Sequence, residues 1–191
     1  MCLSNCFVKF QYLSDFTIYI DGSNVAYFGF NKSKKPKLSN ILQIINYLIT
    51  EIGFKRKKIH CICDPSLKYY IENPNGYEML VKEDVIIEAP KVADEFILSF
   101  ALKHDFCFII SNDRFRQYLD QLPSKQWLEE RRISFMIINN EVCLSPNISY
   151  ENLIKENNKF FSFIRKFDST SITTLNVMNR IEISEGELDL Y

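Results

Sequence analysis

Short apolar runs in this chain alternate with stretches whose apolar residues recur at helical spacing. The runs are "TIYI" (17–20), "IHCIC" (59–63), "DVIIEAP" (84–90), "FCFIISND" (106–113) and "ISFMIINNEVCLSP" (133–146), the last read as a strand that leaves room for a hairpin. Between the first two, Leu38, Ile41, Leu42, Ile45, Leu48, Ile49 and Ile52 fall on one helical stripe, with Ser39 or Asn40 expected to start the helix and Gly53 to end it. Residues 65–83 suggest one or two short helices broken at Pro74-Asn75-Gly76. Residues 92–105 read as a helix with Phe96, Ile97, Phe100 and Ala101 on one face, and a further helix carries Trp127 and Leu128. Such β-α alternation predicts an α/β fold, a mostly parallel sheet with helices on both faces. The fourth run is apolar throughout, as a strand covered on both faces should be.

In a sheet of this kind the ligand site lies beyond the carboxyl ends of the strands. Three acidic residues are expected at that edge. Asp21 ends the first run, Asp113 ends "IISND", and Asp94 opens the helix after the third run. Taken singly, each reads more readily as a helix cap. Together, with no His or Cys beside them, they make an oxygen-only site that suits Mg²⁺ or Mn²⁺ and not zinc. Ser23, Asn24 and Asn112 are polar neighbours of these positions. Ser23 could hold a ligand or a phosphate, but a turn hydroxyl bonded to its own backbone is the commoner role. Asp64 also ends a run, but Pro65 after it favours a turn role. His60 and His104 lie away from strand ends and read as structural.

Formal net charge is −1, so total charge does not signal a nucleic-acid binder. Its distribution is less even. "NKSKKPK" (31–37) carries Lys32, Lys34, Lys35 and Lys37, "KRKK" occupies 55–58, and Arg114 and Arg116 follow the expected metal edge. Each lysine run is either a solvated loop or a guide for phosphates; Arg116 is either a phosphate contact or half of a surface ion pair. Of the six cysteines (2, 6, 61, 63, 107 and 143) none forms a C-x-x-C pair. A zinc ribbon is not expected, and reduced thiols fit a cytoplasmic protein. No apolar run approaches the ~20 residues that span a bilayer, so no membrane partner is expected. The first residues lack a secretory leader pattern. No Ser-His-Asp triad, P-loop or glycine-rich dinucleotide loop is present.

"IDGSNVA" (20–26), "DEFILSFALKHDFCFIISNDRFR" (94–116) and "WLEERRISFMIINNEVCLSP" (127–146) resemble, in order and spacing, the NYN ribonucleases of the PIN-like superfamily, the Regnase (MCPIP) type in particular. The resemblance implies a PIN-like/NYN three-layer α/β sandwich over 17–147, between an N-terminal extension (1–16) and a C-terminal helical extension with an acidic tail (148–191). It implies metal-dependent endonucleolytic cleavage of single-stranded or loop RNA, leaving 5′-phosphate and 3′-hydroxyl ends. By motif position Asp21 resembles the first metal-site aspartate, Asp113 the "SND" aspartate, and Asp94 the second member of an Asp-Asp pair. The first member of that pair is Ala93 here, and a further family aspartate is Gln117. Glu95, the next carboxylate, lies about 100° further around the helix. These departures keep a second reading open: a PIN-like module that binds RNA or a protein without cutting. The amphipathic segment 150–167 offers a surface for a second copy or a protein partner.

Overall fold

The computed structural model describes residues 16–29 and 35–145, all within the unit Met1–Ile148. Lys32 and Lys34, nearly all of the N-terminal extension and the whole C-terminal extension lie outside the described residues.

Six strands form one sheet: β1 (Thr17–Asp21), β2 (Ile59–Cys63), β3 (Ile86–Glu88), β4 (Cys107–Ile110), β5 (Arg132–Ile138) and β6 (Glu141–Ser145). Their order is β3-β2-β1-β4-β5-β6. The first five pair in parallel, and β6 returns antiparallel to β5. That return is the hairpin the sequence left open. Asn139 and Asn140 adopt φ of 50° and 66°, the left-handed pair that a two-residue hairpin turn needs and that asparagine tolerates.

The helices are α1 (Gly22–Ala26), α2 (Leu38–Tyr47), α3 (Pro74–Lys82), α4 (Ala93–Ala101) and α5 (Lys125–Arg131). Side chains of a strand alternate between faces. Tyr19 packs with Ile97, Leu98 and Ala101 of α4 and with Ile109 of β4. Ile18 and Ile20, on the other face, are fully buried as well, so the sheet is the middle of three layers. Tyr19 also stacks on His60, Phe100 and His104, and its hydroxyl bonds His104 Nδ1. Both histidines thus take part in packing.

Two expectations need correction. Pro74-Asn75-Gly76 does not break a helix but begins α3: Asn73 caps it, its carboxamide oxygen accepting from Gly76 N at 2.9 Å, and proline at the first helical position needs no amide partner. Neither Ser39 nor Asn40 starts α2; the residue before it is Lys37, with no side-chain cap. Asn40 is buried, and its amide donates to the carbonyls of Val25 and Phe28 at 3.2 and 3.0 Å, tying α2 to the end of α1. At its far end α2 widens into a π turn (Leu48–Ile52). Gly53 ends it as expected, at φ 93°, where a side chain would be strained.

Candidate active site

The strand order reverses between β1 and β4, both of which start from the centre of the sheet and are followed in opposite directions. Such a switch point opens a crevice at the carboxyl edge. The last residue of β1 is Asp21 and α1 after it supplies Asn24, while the chain after β4 supplies Ser111, Asn112 and Asp113. Asp21 is only 3% exposed. Its Oδ1 accepts from Asn24 N at 3.0 Å and its Oδ2 from Ser111 Oγ at 2.7 Å. Ser111 Oγ in turn accepts from Asp113 N at 3.0 Å. The Asn24 side chain reaches across the crevice and accepts from Asn112 N at 2.9 Å. Asn112 then pairs both ways with the backbone of Phe135 on β5, at 3.0 Å each. The two asparagines therefore clamp β1, β4 and β5 at one level.

Gly22 is required by close approach. A Cβ there would stand 2.4 Å from Cys63 Sγ and 2.7 Å from Cys61 Sγ, so only glycine lets the chain leave β1 against β2. Ser23 Oγ accepts from Asp64 N at 2.8 Å and so fixes the end of β2 to α1 instead of closing its own turn. Asp113 is held by a local turn, its Oδ1 accepting from Phe115 N at 2.8 Å. Phe115 is fully buried with φ 47°. A bulky residue in the left-handed region is strained, and such strain collects at functional edges where the surroundings enforce it.

Asp94 lies in the first turn of α4. Val92 gives that helix no side-chain cap. The cap comes from across the edge: Asp64 Oδ1 accepts from Ala93 N at 2.9 Å. Asp64 also takes a turn role, its carbonyl accepting from Leu67 N, so the turn reading holds but omits the carboxylate. Gln117 Nε2 lies 3.4 Å from Asp94 Oδ2 as a long hydrogen bond. Glu95 is exposed and adds to the charge felt by Asp94.

The carboxylates share one field. Burial first, and then Asp94 and Asp64, push the Asp21 carboxyl up from 3.8 to about 7, against the bonds from Asn24 and Ser111. Burial, then Asp113, Asp64 and Glu95, push Asp94 up to about 6. A buried anion without a counter-charge favours its protonated form. Among the described residues no three His, Cys, Asp or Glu side chains stand close enough to hold one ion directly. Asp21, Asp94 and Asp113 thus share an edge without meeting at a point. The donors nevertheless fit a hard cation that keeps part of its water, as Mg²⁺ does when held by one or two carboxylates. All are oxygens, and the excess negative charge is the kind a divalent ion relieves.

The model of the Zc3h12a-like ribonuclease NYN domain matches residues 14–159, most of the chain. The chain belongs to that family. Among solved structures, nuclear proteinaceous RNase P 2 (PRORP2) of Arabidopsis thaliana shares the fold: TM-score 0.55 at 20% identity, over 74% of this chain and 32% of that one. A second structure of the same protein gives 0.54 at 18%, over 75% and 32%. The chain therefore spans about a third of the length of these structures. No curated protein matches it.

Within this NYN domain the basic residues stand on both sides of the edge. Arg114 and Arg116 are exposed after Asp113, and Arg116 makes no ion pair among the described residues. Lys35 is exposed and Lys37 half-buried, the latter's amide donating to Ala26 O at 2.9 Å. Sequence reasoning missed Ser111 and Asp64. Ser111 stood in view inside "SND", directly before two residues already singled out. Asp64 was legible as a strand-end carboxylate, but nothing local shows that its partner is an amide 29 positions away.

Proposed function

We propose that this NYN domain is an endoribonuclease that uses Mg²⁺ or Mn²⁺ held at Asp21, Asp94 and Asp113. The observation that carries the proposal is the arrangement at the switch point: Asp21, buried and fixed by Asn24 N and Ser111 Oγ, shares one carboxyl edge with Asp94 and Asp113, and burial and neighbouring carboxylates push the Asp21 and Asp94 carboxyls up. A purely structural cap gains nothing from being destabilised in this way, whereas a cation site does. When bound, the ion would neutralise the scissile phosphate and activate water.

The chain's own residues do the rest. Ser111 and Asn24 fix both oxygens of Asp21, so that carboxylate does not reorganise during the reaction. Gln117 and the Asp64-capped start of α4 hold Asp94 opposite it. Asp113 is oriented by its bond from Phe115 N. Arg114 and Arg116 on one side and Lys35 and Lys37 on the other hold the phosphates of a strand laid across the edge; Lys32 and Lys34 extend the second group in sequence. Water attacks in line: its oxygen bonds to phosphorus, the bond to the 3′ oxygen breaks, and that oxygen takes up a proton. The products carry a 5′-phosphate and a 3′-hydroxyl. The substrate is single-stranded or loop RNA, and the setting is the cytoplasm, where the free thiols of Cys61, Cys63, Cys107 and Cys143 stay reduced. Among the described residues no helix is long and apolar enough to cross a membrane.

Ala93 and Gln117 favour one other reading, a binding module that does not cut. The test is cleavage of labelled single-stranded RNA with Mn²⁺ or Mg²⁺. We expect cutting that EDTA abolishes and either ion restores, and loss of at least a hundredfold in Asp21→Asn and in Asp113→Asn, the order seen when one preorganised electrostatic group is removed. RNA binding without cutting at any metal concentration would establish the module; both variants cutting at the wild-type rate would misplace the site.

A further inference from the structure

Tyr69 and Tyr70 are 75% and 58% exposed, and Tyr27 is 39% exposed. For large side chains in a protein with a filled core, this is a concentration of aromatic surface, and its place in the fold is specific. Tyr27 ends α1, directly after the Asp21 motif. Tyr69 and Tyr70 close the 3-10 turn that follows β2 and Asp64. Both loops leave the carboxyl edge on the β2 side of the crevice. The Tyr27 phenol is near enough to Tyr70 and Asp64 that both add to the effect of burial in raising its pKa.

One lysine lies against these rings. Lys68 Nζ lies 5.6 Å from the Tyr69 ring centroid and also pairs with Glu88 at 3.4 Å. The basic loop is bonded to the same patch, since Glu72 N donates to Pro36 O at 2.9 Å. Glu72 is acidic, and its carboxylate lies 3.4 Å from Ser39 Oγ as a weak acceptor. Exposed aromatic rings with Lys68 against one of them and Lys35 and Lys37 on the adjoining segment match what unpaired nucleic acid requires: π faces for bases and cations for the backbone. A duplex keeps its bases stacked on one another and offers nothing to such faces.

We propose that Tyr69 and Tyr70 form a base-stacking platform that receives the unpaired nucleotides of an RNA strand on the β2 side of the cleavage edge. This rests on the ribonuclease reading for the identity of the strand, though not for its test. Stacking tolerates any base, so the platform selects single-strandedness and not sequence.

Binding is measured in EDTA, where cleavage does not enter, with three fluorescent probes of equal length: single-stranded RNA, the same strand with abasic sites, and a blunt RNA duplex. Base-aromatic stacking is typically worth ~1–3 kcal/mol per base, so Tyr69→Ala/Tyr70→Ala should weaken single-stranded RNA binding roughly tenfold or more. The abasic strand and the duplex, which carry phosphates but no free bases, should bind both proteins alike. Tyr69→Phe/Tyr70→Phe, which keeps the rings, should restore binding. Unchanged affinity in the alanine variant overturns the platform, as does an equal loss on the abasic strand, or a change of oligomeric state in place of RNA affinity, which would make the patch a protein contact. A protein that binds in this pattern and never cuts would keep the platform and lose the ribonuclease.

Discussion

Asp21 carries the sharpest consequence of the site's electrostatics at the scale of one residue. Its carboxyl is raised from 3.8 to about 7. Between these values the metal-free folded protein holds a proton that the unfolded chain has released, so folding is favoured by low pH. The contribution of this group is full below about pH 4 and is lost as pH rises through about 7. Three pKa units correspond to roughly 4 kcal/mol, an upper figure for a group that the ion would normally neutralise. Asp94, raised to about 6, adds a smaller slope of the same sign. EDTA-treated wild type should therefore have a higher urea midpoint at pH 5 than at pH 8. Asp21→Asn, which keeps the shape and can still accept from Asn24 N, should flatten that difference and exceed wild type at pH 8. Mn²⁺ should stabilise wild type at pH 8 and the variant much less. Parallel pH curves for the two proteins would mean that Asp21 is not a strained anion.

At the scale of elements, the site depends on how one strand end caps a helix from a distant segment. Asp64 ends β2 and accepts from Ala93 N at 2.9 Å, and so replaces the local cap that Val92 does not provide. Loss of a cap costs ~1 kcal/mol. Asp64→Ala should lower stability by about that amount and let the start of α4 drift, with a fall in cleavage rate. Asp64→Asn keeps an acceptor oxygen and should recover the stability. If alanine and asparagine lose stability alike, the bond to Ala93 is not what holds α4. This arrangement also marks the boundary of what sequence can show. The strands and the main helices follow from local patterns: apolar runs bounded by turns, and apolar residues at spacing 3 and 4. So does the edge on which Asp21, Asp94 and Asp113 fall, because parallel order alone places strand ends together. The roles of Ser111, Asp64 and Asn40 do not follow, since each partner lies far along the chain and is an atom of backbone or of a carboxylate without a pattern of its own. Pro74-Asn75-Gly76 misled for the opposite reason. Its residues signal a turn, and the first turn of a capped helix uses the same ones.

At the scale of the whole molecule, the proposed ribonuclease, of net charge −1, has to hold a polyanion against an acidic edge. Only an uneven distribution allows this. Arg114 and Arg116 flank the β4 side of the crevice, and residues 35–37 join the β1–β2 side through Lys37 N to Ala26 O and Glu72 N to Pro36 O. Lys35 and Lys37 are therefore tied to the same side of the sheet as the tyrosines, while the carboxylates occupy the middle. Phosphate contacts carry no sequence information and weaken with salt. Replacing Lys32, Lys34, Lys35 and Lys37 by Ala should raise the apparent Kd for single-stranded RNA uniformly across sequences. The slope of log K against log salt should flatten by about 0.7 for each phosphate that the variant no longer neutralises. The single-turnover cleavage rate at saturating RNA should hardly change, because contacts to non-reacting phosphates stabilise substrate and transition state alike. A solvated loop predicts the same affinity as wild type at every salt concentration. Titrating both proteins at two ionic strengths separates these outcomes: converging curves at high salt support a guiding loop, and superimposable curves remove it from the path of the RNA.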